Sequence, residues 1–207
     1  MRKAKEALVG LRERKKIQTR EAIVTAALDL FDRQGYDATT VEEIAEAANV
    51  SPRTFFRYFD SKVEVVMAPK QERDELGEWL EARPPDEGPI EAMRKVLRDG
   101  MGDYLTDNPT QVRQMRCMLS TASLQAVARD HFNEHENELA ASFAKRLGLP
   151  EDALEAQIMA SAIGATAWTV TNRWVAEGGP PKRLFEMLDD ALDLLAKGLE
   201  SPSGPRR

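Results

Sequence analysis

Apolar residues recur every three or four positions through most of the 207-residue chain, and no segment alternates in the strand manner. That periodicity predicts an all-α fold. The first helix is expected from about Thr19 to Gln34, with Ile23, Ala26, Ala27, Leu30 and Phe31 on one face and Gly35 as C-terminal cap. Thr39 or Thr40 can cap a second helix, and Thr40-x-x-Glu43 has capping-box spacing. Its inward face is Val41, Ile44, Ala45 and Ala48, and Asn49-Val50 makes a tight turn. Ser51 then caps a third helix, with Pro52 in its first turn and its end near Phe59. Asp60 or Ser61 caps a fourth, predicted to reach about Ala82 with a kink at Pro69.

The run "ARPPDEGP" (82–89) is the clearest break. Beyond it the pattern predicts helices over Ile90–Thr106, Thr110–Thr121, Leu124–Leu147, Asp152–Glu177 and Lys182–Leu199, about nine in all. The expected layout is a flexible basic arm at 1–14 and a three-helix helix-turn-helix domain at 15–62. A helical body at 63–200 and a disordered tail at 201–207 follow.

Composition narrows the possibilities. The longest uncharged run, Ala156 to Asn172, is interrupted by Gln, Ser, Thr and Asn, and reads as a buried helix, not a membrane span. No apolar stretch follows the charged N-terminus, so no secretory leader is expected. The single cysteine, Cys117, excludes an intrachain disulfide and fits a reducing cytoplasm. The formal net charge of −6 argues against a nucleic-acid partner, but its distribution argues for one. Residues 1–20 hold eight Lys/Arg against two Glu, and residues 1–62 hold twelve basic and ten acidic groups. The acidic excess therefore lies in the body, which suggests two jobs on one chain.

The stretch "ANVSPRTFFRYFDSK" (48–62) concentrates Phe55, Phe56, Tyr58 and Phe59 among charges. Phe55 and Phe59 lie one helical turn apart and can form a small core with Val50 and Ile44. The other face then presents Pro52, Arg53, Thr54, Arg57 and Tyr58. A short capped helix of this kind fits the DNA major groove. Arg53 can read guanine, and Thr54 can meet thymine or phosphate. Tyr58 and Lys62 suit phosphates, as do Arg14 and Lys15 of the arm.

The whole stretch 20–66, above all "AALDLFDRQGYDATTVEEIA" and "VSPRTFFRYFDSK", resembles the DNA-binding domain of the tetracycline-repressor (TetR) family of bacterial transcriptional regulators. The resemblance implies that Pro52, Arg53 and Thr54 face base edges in a double-stranded operator. It places Phe56, Tyr58 and Lys62 against the backbone and Thr40 as a cap beside a phosphate. Position 56 is more often Tyr in the family; Phe56 lacks the hydroxyl and can meet a thymine methyl instead. The segment "MRCMLSTASLQAVARDHFNEHENELAASFAKRLGL" is similar to an actinobacterial TetR subgroup that includes mycofactocin-system regulators and members with acyl-CoA ligands.

For the acidic body the resemblance implies a homodimer with a ligand pocket, no cofactor and no membrane partner. The stripe Leu184, Leu188, Leu192, Leu195 and Leu199, with Ala160, Gly164 and Ala167, can pack between two chains or within one. Met101, Tyr104, Met115, Met118, Phe132 and Trp168 are candidates to line a pocket for a small apolar ligand, or are ordinary core. Two other classes stand beside the regulator. "HFNEH" (131–135) has the H-x-x-E-H pattern of a zinc hydrolase. A helical protein-binding adaptor would also account for the body. Phosphate-binding, dinucleotide and G-x-S-x-G patterns are absent from the sequence, and no enzyme is expected.

Overall fold

The computed structural model describes residues 2–67, 75–98 and 102–198. Eleven α-helices and no strand occur among them. They are α1 (Arg2–Gln34), α2 (Val41–Ala47), α3 (Pro52–Phe55), α4 (Lys62–Val66), α5 (Glu75–Glu81), α6 (Pro89–Val96), α7 (Gly102–Asp107), α8 (Pro109–Ser120), α9 (Gln125–Leu147), α10 (Leu154–Glu177) and α11 (Pro181–Ala196). The chain forms two compact units, one of Met1–Ala68 with Arg113–Leu124, the other of Pro69–Val112 with Gln125–Arg207.

The first unit closes around Ile23, Val24, Ala27, Leu28 and Phe31 of α1, Ile44 and Ala45 of α2, and Phe55, Phe59, Val65, Val66 and Leu124. Gly35 ends α1 in a left-handed conformation (φ 86°), and its N–H donates to Phe31 O at 2.9 Å. α2 carries the predicted capping box on Thr40. It ends in a Schellman motif, with Val50 N–H donating to Ala45 O and Asn49 N–H to Glu46 O, each at 2.9 Å. The motif needs a left-handed residue, and Asn49 takes it (φ 53°). The segment 113–124 belongs to this unit, although the sequence reading assigned it to the body. Arg113 bridges Asp29 at 2.8 Å and Asp32 at 2.6 Å, and the buried Gln114 donates to Val65 O at 2.6 Å. Ser123 Oγ donates to Asp37 at 2.6 Å.

In the second unit α9 packs along α10 and α10 along α11. Leu80, Ala92, Met93, Val96, Leu139, Phe143, Ala160, Ile163 and Leu192 form its core. Arg146 donates to Leu80 O at 2.6 Å and Glu87 O at 3.2 Å, satisfying carbonyls at and beyond the end of α5. Gly178 (φ 74°) ends α10, and Trp174 Nε1 donates to Pro180 O at 3.0 Å across the turn into α11.

Four expectations require correction. α1 begins at Arg2, not near Thr19, because residues 2–18 are mostly strong helix formers with no proline. α3 has four residues and then a turn whose N–H groups reach three residues back, so it is shorter than the stretch to Phe59. The fourth helix stops at Val66, because Met67 is extended (ψ 135°); Pro69 and its expected kink lie outside the described residues. Leu184, Leu188 and Leu192 are buried within the chain, and Gly164 faces Glu136 of α9, where a Cβ would come within 2.8 Å of Oε2. Of the two packings the stripe allows, Leu184, Leu188, Leu192 and Ala160 take the one within the chain. Leu199 and the tail at 201–207 lie outside the described residues.

Candidate nucleic-acid interface

The face of α3 and its following turn is set by one cap and one small core. Ser51 Oγ accepts the Thr54 N–H at 3.1 Å and lies 2.9 Å from Thr54 Oγ1. Phe55 and Phe59 are fully buried, with ring centroids 5.6 Å apart. With those two inward, Pro52, Arg53, Phe56 and Arg57 are exposed, and Thr54 and Tyr58 are half-buried. Phe56 is 52% exposed, its ring edge-on to Phe55 at 5.5 Å. The Arg57 guanidinium lies 5.2 Å from the centre of the Tyr58 ring. The result is an exposed surface of Pro52, Arg53, Phe56 and Arg57 on a support held by hydrogen bonds and the buried phenylalanine pair.

Thr40 is committed to its cap. Its N–H and Oγ1 lie 2.8 Å and 2.9 Å from Glu43 Oε2, and the Glu43 N–H donates back to Oγ1 at 3.2 Å. These bonds from Thr40, with one from Gln34, hold the Glu43 carboxyl below the usual carboxylate range. Lys62 is also engaged internally. Its ammonium donates to Tyr36 O at 2.6 Å and Thr39 O at 2.7 Å and sits 4.1 Å from the centre of the Tyr36 ring. Burial, then Cys117 and Asp37, push the Tyr36 hydroxyl up to about 12. Arg14 and Lys15 are exposed on α1. The local pattern at Lys62 offered no signal for its carbonyl partners, which come from residues 23 and 26 positions away.

The candidate pocket residues divide between the units. Met118 (buried) and Met115 (half-buried) belong to the first. Phe132 and Trp168 belong to the second, with ring centroids 5.0 Å apart and the Arg129 guanidinium 3.8 Å from the centre of the Trp168 ring. Tyr104 is described by its backbone alone, within α7, and Met101 lies outside the described residues. A groove of about 750 Å³ between α9 and α10 is lined instead by Glu136, Asn137, Gln157 and Ser161, with Glu151 and Asp152. His131 and His135 approach at 3.3 Å through their Nε2 atoms. Among the described residues no set of three His, Cys, Asp or Glu side chains could hold a metal ion. Burial pushes the Cys117 thiol up, away from a reactive thiolate.

Residues 23–68 match the family described as bacterial regulatory proteins, tetR family, and residues 87–200 match the MftR C-terminal domain. The chain is 37% identical over 195 residues to the HTH-type transcriptional regulator TcmR of Streptomyces glaucescens, covering 90% of this chain and 86% of that one. The chain belongs to the tetR family. Its relatives and fold are those of transcriptional regulators, which are not enzymes. Among solved structures it is similar to a Thermus thermophilus tetR-family repressor, FadR, in complex with lauroyl-CoA (26% identity, TM-score 0.55, covering 91% of this chain and 98% of that one). It shares its fold with SmeT, the repressor of a Stenotrophomonas maltophilia multidrug efflux pump (23% identity, TM-score 0.61, covering 90% and 96%). As a tetR-family regulator the chain carries the helix-turn-helix at α2–α3, and no helix among its described residues is long and apolar enough to cross a membrane.

Proposed function

We propose that this regulator is a homodimeric repressor that holds a pseudo-palindromic operator through the α3 surface and is released by a small apolar ligand. The observation that carries the reading is the outward face Pro52, Arg53, Phe56 and Arg57 on a capped, buried support, in a chain of this family. Arg53 reads a base edge, Arg57 and Tyr58 meet the backbone, and Arg14 and Lys15 add contacts to phosphate. One short helix provides little affinity, so two copies bind half-sites about 34–36 Å apart.

The second copy is accommodated by the face of α10 and α11 that the chain leaves uncovered. Leu154 is 65% exposed, Ile158 58% and Leu194 47%, and Ala162, Ala165 and Thr169 continue the α10 stripe. Exposed apolar side chains at successive turns favour burial against a second copy. An acyl-CoA is the ligand class we favour. The lauroyl-CoA complex of the Thermus relative supports it, and so does Arg129 beside the Phe132–Trp168 pair, a cation next to an apolar wall.

Fluorescence anisotropy with the DNA upstream of the protein's own gene tests the reading. Binding is expected to resist nonspecific competitor, fall with salt and be reversed by lauroyl-CoA. Arg53→Ala is expected to cost about 1–3 kcal/mol and to relax choice at one operator position. Wild-type affinity and selectivity in that variant would remove α3 from the interface. Unchanged binding with lauroyl-CoA would eliminate the acyl-CoA class and leave the regulator intact.

A further inference from the structure

We infer that His131 and His135, on α9 of the second unit, form a two-histidine chelate for a divalent cation of the Zn²⁺, Ni²⁺ or Cu²⁺ class. They are the two histidines of the chain, set four residues apart, so one helical turn brings both rings to the same side of α9. At this H-x-x-x-H spacing two imidazoles on a helix can reach a single zinc ion. The structure supplies the distance. The two Nε2 atoms lie 3.3 Å apart, with the ring planes at 73° and the centroids 4.5 Å apart. Two nitrogens each about 2.0–2.1 Å from a tetrahedral zinc ion are themselves about 3.3–3.4 Å apart. The pair therefore already has the bite of a chelate. When the ion enters, the ring that donates across the gap exchanges its proton from Nε2 to Nδ1, and both Nε2 lone pairs face the metal with no net change in protons.

The far side of the His135 ring fits the same reading. Its Nδ1 is buried and makes no hydrogen bond with the described residues, and Glu138 Oε2, one turn on, lies 3.5 Å away. A carboxylate in that place keeps the proton on Nδ1 and leaves Nε2 as the ligating atom. Residues 129–138 hold four carboxylates and one arginine, so the local charge favours a cation. Imidazole nitrogens select zinc, nickel and copper over magnesium and calcium. Among the described residues no third side chain completes the set, so two positions of a tetrahedral ion stay open to water or to a donor atom of a second ligand. That separates the pair from a hydrolase centre, which holds its zinc through three protein ligands.

The test uses the untagged full-length protein, freed of metal with a chelator and titrated with Zn²⁺ against a chromophoric zinc indicator. Wild type is expected to take up one equivalent per chain. His131→Gln and His135→Gln are each expected to lose it, and Glu138→Gln to bind about tenfold less tightly. Zinc is expected to raise the melting temperature of wild type and to leave both histidine variants where they were, because an ion that binds the folded state stabilises it. Proton NMR of the unmutated protein gives a readout that needs no substitution. Its two imidazole rings are both expected to shift with zinc. Imidazole signals that zinc leaves in place, or uptake of equal affinity in wild type and both histidine variants, overturn the site and mark any zinc bound as adventitious.

Discussion

At the scale of single residues, Lys62 shows how a side chain read as a ligand contact can be a fastener. Its ammonium closes the loop between α1 and α2 by donating to Tyr36 O and Thr39 O at 2.6 Å and 2.7 Å. Replacing it by methionine leaves both carbonyls without that partner, and hydrogen bonds to charged groups contribute about 1.5–3 kcal/mol each. Lys62→Met is therefore expected to lower the melting temperature and weaken binding to every sequence while leaving the salt dependence unchanged. A phosphate contact would instead lower the slope of log K against log salt by about 1. That slope, measured beside the melting curve, separates the two roles. Phe55 and Phe56 make the complementary point. They are adjacent and of the same type, yet one is fully buried and the other 52% exposed, because a helical turn sends neighbours to different faces.

At the scale of elements, the helix-turn-helix depends on how α2 starts and stops. The reciprocal bonds between Thr40 and Glu43 start it, and the left-handed Asn49 stops it. Thr40→Ala is expected to destabilise the protein by about 1 kcal/mol, read from denaturant unfolding. The cap also carries a pH dependence. The Glu43 carboxyl is lowered mainly by the bonds from Thr40, so the folded state binds its proton less readily than the unfolded chain does. Its contribution is present above the ordinary carboxylate range and is lost as pH falls through the lowered value. Glu87, held down to about 2 by Arg83 and Lys95, follows the same sign between α5 and α6. Unfolding measured at falling pH should show wild type losing stability that Glu43→Gln lacks from the start. Parallel pH curves for the two proteins would contradict this.

At the scale of the whole molecule, the prediction concerns assembly. Ile158 is 58% exposed in the middle of the uncovered α10 stripe, so a charge there does not disturb the chain's own core. Ile158→Glu is expected to sediment as a monomer with an unchanged helical spectrum, and to lose at least tenfold in operator affinity once the two half-sites are uncoupled, a factor worth about 1.4 kcal/mol. A variant that sediments with the wild type would move the interface to another surface. The division into units also operates at this scale. α8 begins in one unit and ends in the other, and its Arg113 and Gln114 side chains fasten it to α1 and α4.

Much of the fold was legible in the sequence, because caps and periodicity are local. The Thr40–Glu43 box, the Ser51 cap, the glycine stops at 35 and 178, and the inward pair Phe55 and Phe59 all follow from spacing over a few residues. The family was legible too, since its motifs lie in one continuous stretch. What only the tertiary structure decided depends on partners distant in sequence. Lys62 meets carbonyls 23 and 26 positions away, Gln114 meets one 49 away, and Arg113 meets aspartates 81 and 84 away. The leucine stripe of α11 obeys the same rule. Periodicity shows that Leu184, Leu188 and Leu192 share a face, but whether that face meets its own chain or another is set by what folds against it.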